Sequence, residues 1–215
     1  MRKGKGIRRK GIRQARFVYL GILLVIVILG FAYLQRPGPA TPPVESTIVA
    51  VGDSWVEGVG ASSGKDFVSL LSDRLDVPIV NAGKTGDTTA DVLARLDSDV
   101  LVHDPTLVIL MVGGNDVFRL VPRTTTQENL AEIILRLESF GAEVLLVGFR
   151  CGITTDECAQ MFTTIAEEYR LVLVPAIQDG VIGHPNLMSD PLHPNNAGYV
   201  RVADKIEPAL RELLE

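Results

Sequence analysis

Beyond residue 46, short runs of apolar and largely β-branched residues recur at 47–51, 78–80, 106–112, 143–147 and 171–174. Each run is nearly continuous in apolar residues, as parallel strands covered on both faces require. Between the runs the period changes to that of a helix. Phe67, Leu70, Leu71 and Leu75 make one stripe, and Val92, Leu93, Leu96 and Val100 a second. Leu130, Ile133, Ile134 and Leu137 make a third; Phe162, Ile165, Ala166 and Tyr169 make a fourth. A last helix is predicted from about Asn195, with Val202, Ala203, Ile206 and Leu210 turned inward. Strands alternating with helices predict an α/β fold, a three-layer α/β/α sandwich on a five-stranded parallel sheet.

The first 46 residues follow another pattern. Residues 17–34 (FVYLGILLVIVILGFAYL) carry no charge. As a helix they would extend about 27 Å, close to the hydrocarbon thickness of a bilayer. Tyr19 and Tyr33 stand near the two ends, where an amphipathic ring sits at headgroup level. Residues 1–16 hold eight Lys or Arg and no acid. That cluster is expected to stay in the cytoplasm, with everything after Arg36 outside. The span therefore reads as one N-terminal transmembrane helix, a retained signal-anchor. A cleaved signal peptide is the competing reading, since Gly30-Phe31-Ala32 offers small residues at a usable spacing and would leave a secreted form. A buried core helix is the third. Four prolines between Pro37 and Pro43 then favour stiff, extended chain. The organisation predicted is a basic stub (1–16), an anchor (17–34), a linker (35–45) and one folded domain (46–215).

Composition sharpens this picture. The chain has 215 residues, enough for one domain of ordinary size but too few for two domains plus a membrane segment. Its formal charge is −5, from 21 basic and 26 acidic residues. Setting aside the eight N-terminal bases leaves 13 against 26, a net of −13 for the remainder. An acidic body argues against nucleic acid as a partner, whose phosphates need clustered cations.

Ligands of such sheets bind beyond the carboxyl ends of the strands. After the first strand comes Gly52-Asp53-Ser54-Trp55, and after the second Asn81-Ala82-Gly83-Lys84-Thr85-Gly86-Asp87. The third is followed by Gly113-Gly114-Asn115-Asp116, and Asp190-Pro191-Leu192-His193-Pro194-Asn195 precedes the last helix. Singly these are ordinary turn residues. Together, in this order, they resemble the SGNH hydrolases, also called the GDSL esterase/lipase family. The likeness runs over about residues 47–214 and is nearest the arylesterase, lysophospholipase and acyl thioesterase branch. It implies a flavodoxin-like sheet and a serine esterase that works without a cofactor.

The residues make chemical sense on their own. Acyl transfer needs a nucleophile, a base, an orienter for the base and donors for the oxyanion. Ser54 begins a turn at a strand end, where its hydroxyl can stand exposed. His193 is the candidate base and Asp190, three residues earlier, can accept its other ring N–H and fix the tautomer. The N–H groups of Ser54 and Gly83 and the side-chain amide of Asn115 are the candidate oxyanion donors, such a donor being worth about 2.7–4 kcal/mol in the transition state. The resemblance implies the same roles: nucleophile, two donors and an Asp-His pair. Asp53 and Asn81 read as structural. His103 and His184 are weaker candidates for the base, lacking the D-x-x-H spacing and the helix start that follows it.

Other chemistries fail on spacing. Pro78 stands where a phosphate loop ending at Gly83-Lys84-Thr85 needs its first Gly, and Gly58-Val59-Gly60 lacks its third at Ser63. Three scattered His without H-E-x-x-H or C-x-x-C imply no catalytic metal and no cofactor. Cys151 and Cys158 either pair, as an oxidising compartment permits, or pack as two unpaired thiols. Trp55 replaces the Leu common at this position in the family, which bears on substrate size. Short loops predict a shallow, open site for small acyl groups. The resulting expectation is a membrane-anchored, extracytoplasmic serine esterase acting on lysophospholipids, aryl or acyl esters, thioesters or acetylated glycans. Its partners are that small acyl-ester substrate and, through the N-terminal helix, the membrane; it is read as a monomer. A non-catalytic envelope-binding domain and an acyltransferase are the other readings.

Overall fold

Five strands carry the domain: β1 (Ile48–Gly52), β2 (Ile79–Gly83), β3 (Leu107–Met111), β4 (Glu143–Val147) and β5 (Val172–Val174). The computed structural model describes residues 47–151 and 156–215. The expected stub, anchor and linker lie outside the described residues. Among these, no helix is long and apolar enough to cross a membrane. The sheet is parallel throughout, in the order β2-β1-β3-β4-β5. β1 and β3 are buried along their whole length, as central strands rich in Val, Ile and Leu should be.

Alternation along each strand feeds two cores. Ile48, Ala50 and Ile109 join α2 (Phe67–Leu75) and α8 (Asn196–Leu213) on one face. Val49, Val51 and Leu110 join α3 (Thr89–Ala94), α6 (Arg123–Phe140) and α7 (Glu157–Tyr169) on the other. The short helices α1 (Ser54–Glu57), α4 (Leu96–Asp99) and α5 (Gly114–Phe118) complete the set. All four predicted stripes and the last helix face these cores. The result is the predicted three-layer sandwich.

Two elements differ from the sequence pattern. The Val92–Val100 stripe is not one helix: it breaks at Arg95 (φ −107°, ψ 10°) into α3 and α4. The Arg95 guanidinium donates to Asp87 (2.6 Å), to the carbonyls of Gly52 (3.1 Å) and Ala82 (2.8 Å), and to Asp99 (3.2 Å). These four acceptors on three segments fix the residue outside helical geometry. β2 also runs three residues longer than its apolar core suggests, pairing Asn81, Ala82 and Gly83 with Ala50, Val51 and Gly52. Asn81 earns its place there by donating to the Val56 carbonyl at 2.7 Å, which ties β2 to α1. Cys151 and Cys158 form a disulfide that joins the segment after β4 to the first turn of α7.

Candidate active site

Ser54 opens α1 directly after β1. Asp53 caps that helix by accepting the Trp55 N–H at 3.1 Å, and Gly58 ends it with a left-handed φ of 93°. One turn of helix thus holds the hydroxyl at the carboxyl edge of the sheet. The opposing loop is built just as locally. Met188 and Pro194 form an antiparallel bridge, and Asn195 caps α8 by accepting from Ala197 (2.9 Å) and Gly198 (3.1 Å). Within that loop Asp190 Oδ1 accepts the backbone N–H groups of Leu192 (2.8 Å) and His193 (2.9 Å).

The two segments meet. Asp190 Oδ2 lies 2.8 Å from His193 Nδ1, and His193 Nε2 lies 3.0 Å from Ser54 Oγ. A carboxylate at Nδ1 places the ring proton there, so Nε2 is bare and accepts from the Ser54 hydroxyl. The backbone N–H of Leu192, then the His193 ring, hold the Asp190 carboxyl below its usual pKa. The group therefore stays ionised and able to stabilise an imidazolium. Asp53 behaves oppositely: burial pushes its pKa up to about 6, against the opposing pull of the Trp55 N–H and of His193. His103 and His184 are both exposed and neither lines this site.

The oxyanion donors need one correction. Gly83 is the last residue of β2, and its N–H is already donated to Asn81 Oδ1 at 2.9 Å. A Cβ there would stand 2.1 Å from the Glu57 nitrogen, so the glycine serves close packing of β2 on α1, and it does not line the cleft. Gly86, three residues on, does line it beside Ser54, Asn115 and His193. Its φ of 87° turns the loop, and its N–H has no acceptor among the described residues. Asn115 Nδ2 donates to the Asp87 carbonyl at 3.0 Å and lies 3.5 Å from Asp53 Oδ2, the far limit of a hydrogen bond, so that second contact is weak. Sequence reasoning missed Gly86 although it sits in the same N-A-G-x-x-G-D block. It also missed Arg95, whose ties to Asp87, Gly52 and Ala82 fasten the Gly86-Asp87 loop to the sheet beneath Ser54.

The cleft has a volume of about 380 Å³. Trp55, Met111, Val117, Phe118, Phe149 and Ile177 make its walls predominantly apolar. In size and character it is a small-molecule site. Trp55 also closes a contact across the site: its indole N–H donates to the Leu192 carbonyl at 3.0 Å. Arranged like this, the residues can deprotonate a hydroxyl, hold an acyl group on it and neutralise a developing oxyanion.

Known proteins are similar to this chain in sequence and fold. Residues 50–201 match the model of the GDSL-like lipase/acylhydrolase family. The chain is 32% identical to "Esterase TesA" of Pseudomonas aeruginosa over 179 residues, 78% of this chain and 89% of that one. It is 28% identical to "Thioesterase 1/protease 1/lysophospholipase L1" of Escherichia coli, over 78% of this chain and 85% of the relative. Among solved structures, the psychrotrophic esterase EstA from Pseudoalteromonas, inhibited by monoethylphosphonate, superposes with a TM-score of 0.71 at 27% identity. That match spans 79% of this chain and 98% of EstA.

Proposed function

Because the chain belongs to the GDSL-like lipase/acylhydrolase family and is a serine ester hydrolase, we propose that it acts through an acyl-enzyme on Ser54. His193 Nε2 takes the hydroxyl proton as Oγ bonds to the acyl carbon. Negative charge on the former carbonyl oxygen is met by the N–H groups of Ser54 and Gly86 and by Asn115 Nδ2. The tetrahedral species collapses, its bond to the leaving oxygen or sulfur breaks, and His193 returns the proton to that group. Water repeats the sequence and frees the acid. Asp190 holds the ring throughout. The observation that carries this reading is the unbroken line from Asp190 Oδ2 through His193 to Ser54 Oγ, at 2.8 and 3.0 Å.

The substrate class is a carboxylic ester or thioester with an apolar acyl chain, because the cleft beside Ser54 has apolar walls. The likeness to TesA and to the E. coli thioesterase/lysophospholipase supports the same class. The place of action is outside the cytoplasm, behind an anchor at residues 17–34. Eight bases ahead of an uncharged 18-residue span and a disulfide in the domain support that reading. A panel of p-nitrophenyl esters of rising acyl length tests the assignment of an apolar acyl chain. Each methylene buried is worth about 0.8 kcal/mol, so kcat/KM rises about fourfold per added carbon until the cleft is full. A kcat/KM highest for acetate and falling with length would contradict the apolar acyl site.

A further inference from the structure

Five of the large hydrophobic side chains left outside the core lie at or beside the cleft. Nine are exposed among the described residues, and four of these, Val117, Phe118, Ile182 and Leu192, line the cleft at its mouth. A fifth, Leu120, follows two residues after Phe118 on the connection from α5 to α6 and is 89% exposed. Its φ is 55°, a left-handed conformation that leucine rarely adopts. That backbone is held by the Leu120 N–H on the Val117 carbonyl (3.1 Å) and the Val121 N–H on the Asp116 carbonyl (2.9 Å). A strained leucine standing in water gains nothing within the domain. Such outliers point to function, and exposed apolar patches mark interaction surfaces.

We propose that the Val117–Leu120 turn, with Ile182 and Leu192, is a lipid-docking face that seats the mouth of the cleft on a phospholipid surface. The occupant follows from three observations. The patch is continuous with the apolar walls of the cleft, so a single-chain lipid ester can pass from leaflet to Ser54 without exposing its chain to water. Arg119 and Arg123 flank Leu120, both more than half exposed in a body otherwise acidic, which suits headgroup phosphates; Arg119 donates through Nη2 to the Gly86 carbonyl at 2.6 Å, leaving Nη1 with Asp91 at 3.7 Å, and Arg123 pairs with Glu157 at 2.8 Å. The same chain carries the uncharged span at 17–34 ahead of an 11-residue linker. Extended at about 3.1 Å per residue, that linker reaches about 34 Å, which leaves a lipid surface accessible to the domain. The substrate side of this proposal rests on the acyl-hydrolase reading above; the docking itself does not.

The test uses the full chain in vesicles of equimolar phosphatidylcholine and phosphatidylglycerol. Leu120 lies outside the cleft, so Leu120→Asp leaves turnover of water-soluble p-nitrophenyl acetate within about twofold of wild type. Hydrolysis of vesicle-resident lysophosphatidylcholine falls about tenfold or more, the partition equivalent of burying one leucine. Leu120→Gly, which relieves the backbone strain while removing the side chain, shows the same split and excludes misfolding as the cause. Binding is read without turnover. Wild type has Trp55 as its sole tryptophan; in Leu120→Trp, lipids brominated on the acyl chain quench the added emission. Equal loss on both esters, undiminished lysolipid hydrolysis or an unquenched Leu120→Trp would overturn the proposal. So would a dimer that dissociates on Leu120→Asp, which would assign the face to a second copy. A wild type inactive on both esters, yet with Leu120→Trp quenched, would refute the acyl-hydrolase reading and uphold the docking face.

Discussion

Replacing Asp53 by Asn isolates the cost of burying a charge beside the nucleophile. The carboxyl is buried, and its pKa stands at about 6 against an ordinary 3.8. Burial is the largest cause, with Asp87 and Asp116 adding repulsion. For an acid whose folded pKa is raised, the folded state holds more protons than the unfolded one between those two values. Stability is therefore lost as pH rises from about 4 to about 6, and the penalty is constant above that window. Two units correspond to about 3 kcal/mol near pH 7.5, but to about 1 kcal/mol near pH 4.5. Asn keeps an oxygen for the Trp55 N–H and drops the charge. Asp53→Asn is thus expected to raise the melting temperature by about 6–12 °C near pH 7.5 and by only about 2–4 °C near pH 4.5. Thermal unfolding of the full chain, followed by the emission of its one tryptophan at both pH values, makes the comparison. A difference between variant and wild type that is flat across this range would refute the reasoning, whatever its size.

Other substitutions separate roles that lie close together. Asn115→Ala removes a side-chain donor from the oxyanion site and should lower kcat by about 10²–10³-fold on a soluble ester, with KM little changed. Gly83→Ala should act on stability instead: its Cβ meets the Glu57 nitrogen at 2.1 Å, and overpacking of this kind costs about 1–3 kcal/mol, read as a melting temperature lower by about 5 °C. Trp55→Phe keeps a ring in the cleft wall but loses the 3.0 Å bond to the Leu192 carbonyl. One such bond is worth about 0.5–1.5 kcal/mol, so kcat is expected to fall about two- to tenfold through looser placement of His193.

Central strands and helix faces were legible because burial on both sides of a parallel sheet leaves a near-continuous apolar run. Asp190 and His193 were legible for a different reason: three residues apart before a helix start, they are arranged by local chain geometry. Gly83 and Gly86 were not separable in this way. Which N–H faces the cleft depends on where β2 stops, and that is set by pairing of Gly83 with Gly52 on another strand. The break at Arg95 was hidden because its acceptors on Gly52, Ala82 and Asp87 lie on other segments of the chain. The apolar lining of the cleft was hidden likewise: Trp55, Met111, Phe118, Phe149 and Ile177 each come from a different segment. The spacing of Cys151 and Cys158 allowed a bridge without deciding it, since the start of α7 brings the two together.

The central claim is a covalent one: an electrophile at this site ends on Ser54 Oγ because His193 has taken its proton. Intact-mass measurement after exposure to an ethyl p-nitrophenyl alkylphosphonate tests that directly. Wild type should gain one phosphonyl group, localised to Ser54 by peptide mapping, while Ser54→Ala gains none and His193→Ala gains it more slowly by orders of magnitude. Unchanged labelling of Ser54→Ala, or a phosphonyl group mapped to another residue, would contradict it.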